Sequence, residues 1–96
     1  DVQWDVLDLL LKQLGEAGFT EVSSEASLRI DGLPAARVFY TLPMATGDEA
    51  IPTIRGHQYL ILSDSDIWIL SYSTIREHEA RMTTIFEKSA RSFRLR

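Results

Sequence analysis

The residues that could do chemistry lie in the last quarter of the chain, where a histidine and a glutamate are adjacent. In "STIREHEARMTTIFEKSARSFR", residues 73–94, His78 and Glu79 fall within a stretch that predicts a helix. The zinc-protease motif H-E-x-x-H places two histidine ligands four residues apart on one helical face. Here Met82 occupies the position of the second histidine, and the chain has no cysteine. We therefore expect no metal site and no catalytic residue, with His78 at the margin of a packing helix.

Two carboxylate pairs and the glycine pattern are the remaining candidates for chemistry. Asp64 and Asp66 flank a predicted turn, which aspartate stabilises through local hydrogen bonds, and Asp48 and Glu49 lie in a predicted loop. The five glycines form neither a G-x-G-x-x-G loop nor a P-loop, and the chain has no G-x-S-x-G motif. We expect a protein that is not an enzyme and that has no cofactor.

Length and composition predict one folded domain that spans residues 1–96. Of the 96 residues 45% are apolar and 25% charged, which suits a single hydrophobic core. The net charge is −4, and the excess of acids before residue 67 disfavours nucleic acid as a partner. No apolar run approaches the roughly 20 residues of a transmembrane segment. Because the chain starts at Asp1 without methionine, we expect a piece of a longer precursor, which could carry a lipid anchor.

Apolar periodicity predicts a helix at each end of the chain and two β-hairpins between them. Trp4 and several leucines recur at three- and four-residue spacing in an amphipathic helix over 2–14. Alternating residues predict strands over 19–30 and 36–42, joined by a turn at Asp31-Gly32. The second hairpin is predicted over 58–63 and 67–72, and the loop over 43–56 includes a short edge strand near 51–54.

The last helix is predicted from a capping signal and from its apolar arc. Thr74-x-x-Glu77 has the spacing of a capping box, so we expect the helix to begin at Ile75. Basic residues near its end are favoured by the helix dipole. Its apolar arc contains Ile75, Met82, Ile85, Phe86 and Phe93.

The second hairpin carries large apolar side chains on both faces, which is typical of strands at the centre of a sheet. The two helices could cover the same face, which would leave the other for a partner, for the 43–56 loop or for a segment outside this chain. If one face of the sheet is open in this way, we also expect that two copies of the chain could form a homodimer through it. The residues expected on this interaction surface are Tyr40, Tyr59, Trp68, Tyr72 and Arg55.

Three stretches of the chain resemble the PsbP-like superfamily. They are "DGLPAARVFYT", "QYLILSDSDIWILSYST" and "FEKSARSFRL", within residues 26–95. The specific elements are Gly32, Pro34 and Ala35 before a strand, the aromatic and aliphatic hairpin, and the ending over 86–94. The superfamily includes photosystem II extrinsic proteins, bacterial lipoproteins of the LpqN type and a branch that binds a small GTPase in nuclear transport. This chain departs from the pattern because it lacks an opening β-hairpin before its first helix.

The resemblance implies an α+β fold, in which an antiparallel sheet of four to six strands packs with an N-terminal and a C-terminal helix as an α/β/α layered sandwich. It also implies an exported bacterial protein, extracytoplasmic or associated with the cell envelope. We therefore expect a non-enzymatic binding or accessory domain that acts through contacts with an unidentified protein. The alternatives are a carrier of a small apolar ligand between sheet and helix, and a hydrolase. A cavity lined by Leu60, Leu62, Trp68 and Leu70 would favour the carrier, whereas an exposed patch or a symmetric interface there would favour the interaction domain.

Overall fold

The computed structural model describes residues 5–43, 53–64 and 66–94, which form one antiparallel sheet with a helix at each end. The strands follow one another in the order β1-β2-β3-β4. This confirms the expected α+β class with an N-terminal and a C-terminal helix. The elements are α1 (Asp5–Glu16), β1 (Thr20–Ile30), β2 (Leu33–Thr41), β3 (Ile54–Leu62), β4 (Ile67–Ile75), a 3₁₀ turn (Arg76–His78) and α2 (Glu79–Arg91).

The turn between β1 and β2 is the one that the sequence predicts. Asp31 and Gly32 have φ angles of 53° and 74°, and Ile30 pairs with Leu33 across them. A two-residue hairpin loop with positive φ at both positions matches the twist of the flanking strands, and Asp-Gly is a favoured sequence for it. The β3–β4 hairpin is confirmed as well, with Leu62 opposite Ile67.

β3 begins at Ile54, four residues earlier than predicted, and it includes a glycine that is covered by an aromatic ring. Gly56 pairs with Tyr40, and a Cβ atom at position 56 would lie 2.1 Å from Cε1 of the tyrosine ring. The ring thus occupies the space that a side chain would fill. The predicted loop over 43–56 is therefore wrong from Ile54 onward, and its residues 44–52 lie outside the described part of the chain.

The two helices cover opposite faces of the sheet, so they do not share one face. α1 places Leu7 and Leu14 against buried residues of β2 and β3, including Val38 and Leu60. On the other face, α2 packs Phe86 and Ala90 onto a second core, whose strand residues include Ala35, Tyr59 and Ile61. Since neighbouring residues of a strand point to opposite faces, the central strands supply both cores.

The start of α2 differs from the prediction. Thr74 and Ile75 continue β4 opposite Arg55 and Ile54, and the α-helix begins at Glu79 after the 3₁₀ turn. Neither turn nor helix has a side-chain cap at its N-terminus, so the predicted capping box is wrong. At the first residue of the 3₁₀ turn, the N–H group of Arg76 donates to the backbone oxygen of Thr53.

The apolar arc of α2 is also shifted from the predicted one. Phe86 and Ala90 are buried, whereas Ile85 is 50% exposed. Ala90 was not expected in the core, because a small side chain adds little to an apolar pattern. Neither described helix has the length and apolarity that a membrane span requires.

Candidate interaction surface

β4 is an edge strand of the sheet, and no strand among residues 5–43, 53–64 and 66–94 lies beyond it. Two backbone bonds define its pairing with β3: Ser63 N–H donates to the oxygen of Asp66, and Arg76 N–H donates to the oxygen of Thr53, each at 2.9 Å. In an antiparallel ladder, hydrogen-bonded and non-bonded pairs alternate. The even-numbered residues of β4 therefore bond to β3, and the odd-numbered ones direct their backbone groups to the open edge: Ile67, Ile69, Ser71, Ser73 and Ile75.

Three consecutive large apolar side chains at the start of β4 are exposed. Ile67 and Ile69 are 47% and 52% exposed on the α1 face, where the apolar core contains no residue of β4. Trp68 is 40% exposed on the α2 face, where its ring lies 5.9 Å from that of Phe93. α1 thus leaves the β4 side of the sheet uncovered.

Ile85 of α2 lies on the same side of the molecule. The hydroxyl of Tyr72, in β4, donates to Ser89 at 3.0 Å, so the side of α2 that carries Ser89 faces β4. Residues four apart on a helix differ in direction by only about 40°, which places Ile85 on that side too. Glu87 lies on the opposite side, toward β1 and β2.

We call this region the β4 edge surface: the open backbone edge of β4 together with the side chains of Ile67, Trp68, Ile69 and Ile85. β4 has no charged residue over its nine positions. Charges occur just beyond its ends, with Asp64 and Asp66 before the strand and Arg76 after it. The strand is thus uncharged along its length and apolar in its first half, with two acids before it, and the one cation directly after it, Arg76, is paired with Glu21.

Of the residues predicted as an interaction surface, Tyr40 lies on the α1 face and the other four lie on the α2 face. The rings of Tyr59 and Tyr72 are in edge contact at 5.9 Å, but the five residues do not form one exposed patch. Tyr40 and Tyr59 are 7% and 2% exposed and belong to the two separate cores. Burial raises the pKa of Tyr40 despite a hydrogen bond with Gln58. Tyr72 is half-buried and stacks on Phe86. Trp68 belongs to the β4 edge surface. The sequence signal for Ile67 and Ile69 was the uncharged run "IWILSYSTI".

The fifth predicted residue, Arg55, belongs to a polar network that sequence reasoning missed. One carboxylate oxygen of Glu79 accepts hydrogen bonds from Arg55 Nε at 2.9 Å and from His57 Nε2 at 2.8 Å. His57 is 1% exposed and lies edge-on to the rings of Phe39 and Phe86. Burial disfavours the charged carboxylate, but the two hydrogen bonds outweigh it and lower the pKa of Glu79.

The network continues to β1 through Thr41. Its hydroxyl donates to Glu21 at 3.0 Å and accepts from Arg55 at 2.9 Å and from Arg76 at 3.1 Å. Arg76 also pairs with Glu21, and this hydrogen bond lowers the pKa of the Glu21 carboxyl group. Glu21 has a φ angle of 51° at an irregularity of β1, which is uncommon for a residue other than glycine. The network joins β1, β2 and β3 to the start of α2.

His78 and Glu79 are adjacent in the chain but lie in two different environments. His78 is exposed on the 3₁₀ turn, whereas Glu79 bonds to His57 in β3. Within the described ranges, no group of three His, Cys, Asp or Glu side chains is placed to hold a metal ion. The predicted carboxylate pair Asp48 and Glu49 lies outside those ranges.

A cavity of about 100 Å³ lies on the α2 face, between α2 and the first two strands. Five of the eight residues that line it are charged, and four of these are paired: Arg37 with Glu25 at 2.7 Å, and Arg91 with Glu87 at 3.0 Å. Such a lining does not suit an apolar ligand, because its charged groups would lose solvent without gaining partners. Leu60 and Leu62 lie on the face opposite to Trp68 and Leu70, so the four cannot line one cavity.

Comparisons with protein-family models, with curated proteins and with solved structures find no match for this chain. Its geometry therefore carries the functional argument.

Proposed function

We propose that this chain is a non-enzymatic interaction domain that binds an extended segment of a protein along β4. The observation that carries the proposal is an uncharged, nine-residue edge strand in regular register whose first three residues are large, apolar and exposed. Edge strands are commonly protected by charges or bulges, because their free backbone groups otherwise pair with another chain. Exposed apolar clusters mark interaction surfaces.

The β4 edge surface offers both components of strand recognition. An added strand would bond to the backbone groups of the odd-numbered residues from Ile67 to Ile75, which supplies affinity that depends little on sequence. Side chains would supply selectivity, since Ile67 and Ile69 contact a partner on the α1 face and Trp68 with Ile85 on the α2 face.

The two alternative functions have weaker support. A hydrolytic triad contains a hydrogen-bonded pair of a histidine and a carboxylate, as His57 and Glu79 form here. Within the described chain, however, the other ring nitrogen of the histidine, Nδ1, is buried without a hydrogen-bond partner. A triad needs a nucleophile within hydrogen-bond reach of that nitrogen. For a carrier of an apolar ligand, the cavity on the α2 face is small, at about 100 Å³, and five of its eight lining residues carry a charge.

The resemblance to the PsbP-like superfamily is part of the same proposal, and so is an extracytoplasmic or envelope location. The resemblance is supported by the turn and strand of "DGLPAARVFYT" and by a sheet with a helix on each face. It agrees with a binding role, because most proteins of that superfamily bind or assist other proteins. Fractionation of the source cells with an antibody against this domain tests the location, and recovery in the cytosol would contradict it.

The binding proposal is tested with a synthetic peptide of alternating valine and threonine, nine residues long and flanked by lysines. We expect the peptide to slow amide hydrogen exchange at Ile67, Ile69 and Ser71, because their N–H groups face the open edge. Ile69→Lys should weaken peptide binding at least tenfold, since it places a charge on the docking strand. The matched control is Ser24→Lys on β1, which should bind as the unmodified chain does. Exchange is measured at a dilution at which the chain is monomeric, so that β4 is open. Protection at β1, or at neither edge, would then contradict the proposal.

A further inference from the structure

The backbone and side-chain pattern of β4 bears on which segment pairs with it. We propose that it is β4 of a second copy of this chain, in an antiparallel dimer whose two-fold axis passes through Ser71. The proposal rests on the proposed function and names its partner. The two four-stranded sheets would then form one continuous eight-stranded sheet.

The charges beyond the ends of β4 do not oppose self-pairing in this register. Residues at equal distances from Ser71 lie opposite one another in the dimer, so Asp66 of one copy lies opposite Arg76 of the other and not opposite a second acid. The guanidinium of Arg76 keeps its bonds to Glu21 and Thr41, so this pairing only avoids repulsion. Between these ends the strand is uncharged, so two copies approach without like charges directly opposite each other.

The backbone also suits an axis at Ser71. This residue directs its N–H and C=O groups to the open edge, and so do Ile67, Ile69, Ser73 and Ile75. With the axis at Ser71, each of these five residues is opposite another of the five. All outward backbone groups of β4 are then paired, whereas a shifted register leaves one end of the strand unpaired.

The side chains form compatible pairs across the same axis. Ile67 faces Ile75 on the α1 face, and Leu70 faces Tyr72 on the α2 face. Pairs of aliphatic residues, and of an aliphatic residue with an aromatic one, favour cross-strand pairing. Only small hydroxyl side chains meet at the axis itself, since Ser71 faces its own copy.

The dimer also explains the exposed apolar residues on both sides of the sheet. A two-fold axis perpendicular to the sheet places both copies of α2 on one face, with Ile85 of each directed toward the other copy. Five large apolar residues are exposed in the described chain, and four of them belong to the β4 edge surface. The fifth, Leu9, lies on α1.

The test uses the absence of cysteine in this chain. In a hydrogen-bonded antiparallel pair the Cα atoms are about 5.5 Å apart, which is within the range of a disulfide. Ser71→Cys should therefore form a disulfide-linked dimer under mild oxidation, seen on a non-reducing gel. Ser73→Cys should crosslink at least tenfold less, because the two copies of this position are about 13 Å apart along the strands. Ser23→Cys on β1 is the control for random collision. Crosslinking at position 73 or 23 equal to that at 71 would overturn the register.

Light scattering of the unmodified chain gives the second measurement. We expect a mass of twice 10.9 kDa at micromolar concentration, and a monomer for Ile69→Lys. Ser71→Pro provides a separate variant: it removes an N–H group that faces the open edge, so the pairing with β3 is kept while the dimer is lost. Circular dichroism verifies that both variants fold.

The outcomes separate the two proposals. If the unmodified chain is a monomer but the valine-threonine peptide protects β4, the second copy is not the partner and the binding function stands. If the chain is a monomer and the peptide protects nothing, both proposals are overturned. A dimer that persists in both Ile69→Lys and Ser71→Pro uses another surface and overturns the dimer proposed here.

Discussion

The two edge strands of this sheet, β1 and β4, differ in their charge, in the regularity of their register and in their exposed apolar side chains. β1 carries Glu21, Glu25 and Arg29, and its register is irregular at two places. Its exposed residues are polar or, at Ala26, small. β4 has no charge, keeps a regular register over nine residues and exposes three large apolar side chains.

This difference shows how a small sheet can close one edge and leave the other open. At β1, bulges interrupt the row of free backbone groups and charged side chains would be buried by an added strand, so pairing is disfavoured. The same charges stabilise the monomer, because Glu25 pairs with Arg37 and Glu21 with Arg76. At β4 neither protection is present, which indicates a surface for association.

The largest loss of folding stability is expected at the contact between α2 and β4. Phe86 is 5% exposed and its ring stacks on Tyr72 at 4.9 Å. Phe86→Ala should lower the free energy of unfolding by about 3–5 kcal/mol through the cavity it leaves. Urea denaturation of the monomeric Ile69→Lys background measures this without a contribution from association.

The matched control for Phe86→Ala is Ile85→Ala in the same background. Because Ile85 is half exposed, we expect a loss of only about 0.5 kcal/mol. Equal losses for the two variants would show that α2 is not anchored to the sheet as described.

A smaller loss of folding stability is expected from a change in the polar network that links Glu79 of α2 to Arg55 and His57 of β3. Glu79→Gln removes the charge that Arg55 and His57 stabilise, and it should cost about 1.5–3 kcal/mol at neutral pH. Folding lowers the pKa of Glu79 below its ordinary value of 4.5. Its contribution is therefore complete above about pH 5 and is lost as the pH falls through the lowered pKa.

Urea denaturation between pH 3 and pH 7 measures this contribution. The difference in stability between the unmodified residue and Glu79→Gln should shrink on the acid side of 4.5, since protonation then removes the same charge. Glu77→Gln, on the exposed 3₁₀ turn, is the control. A difference that does not depend on pH would contradict the role of the carboxylate.

The smallest loss of folding stability is expected at β1, the edge that is protected against pairing. Glu25→Gln should cost about 1 kcal/mol or less, because the side chain of Glu25 is 48% exposed and water screens its pair with Arg37. In the Ile69→Lys background this variant should also remain monomeric by light scattering, since the two irregularities of β1 persist. Association through β1 would show that charge, and not the bulges, closes this edge.

Much of the fold was predictable from local patterns. Asp31-Gly32 marked the first turn because its backbone needs positive φ, and the alternation around 58–72 marked the second hairpin. The prediction failed where a distant residue decides the local structure. Gly56 is part of a strand because it pairs with Tyr40 on one side and with Ser73 on the other, and Thr74 continues β4 because Arg55 pairs with it.

The candidate surface was only partly predictable for the same reason. Alternation assigns each strand residue to a face but does not say which helix covers that face. Tyr40 and Tyr59 were therefore expected on the surface, yet they are in the cores. His57 and Glu79 are 22 residues apart, and no spacing rule connects them.

The sequence by itself determined the turns, the amphipathic stripes and the uncharged character of residues 67–75, because these depend on neighbouring residues and on backbone geometry. Only the tertiary structure decided that β4 lies at an edge and that α1 does not reach its apolar residues. An edge is a property of strand order, and strand order depends on contacts between residues far apart in the chain. The same nine residues at the centre of a sheet would be ordinary core.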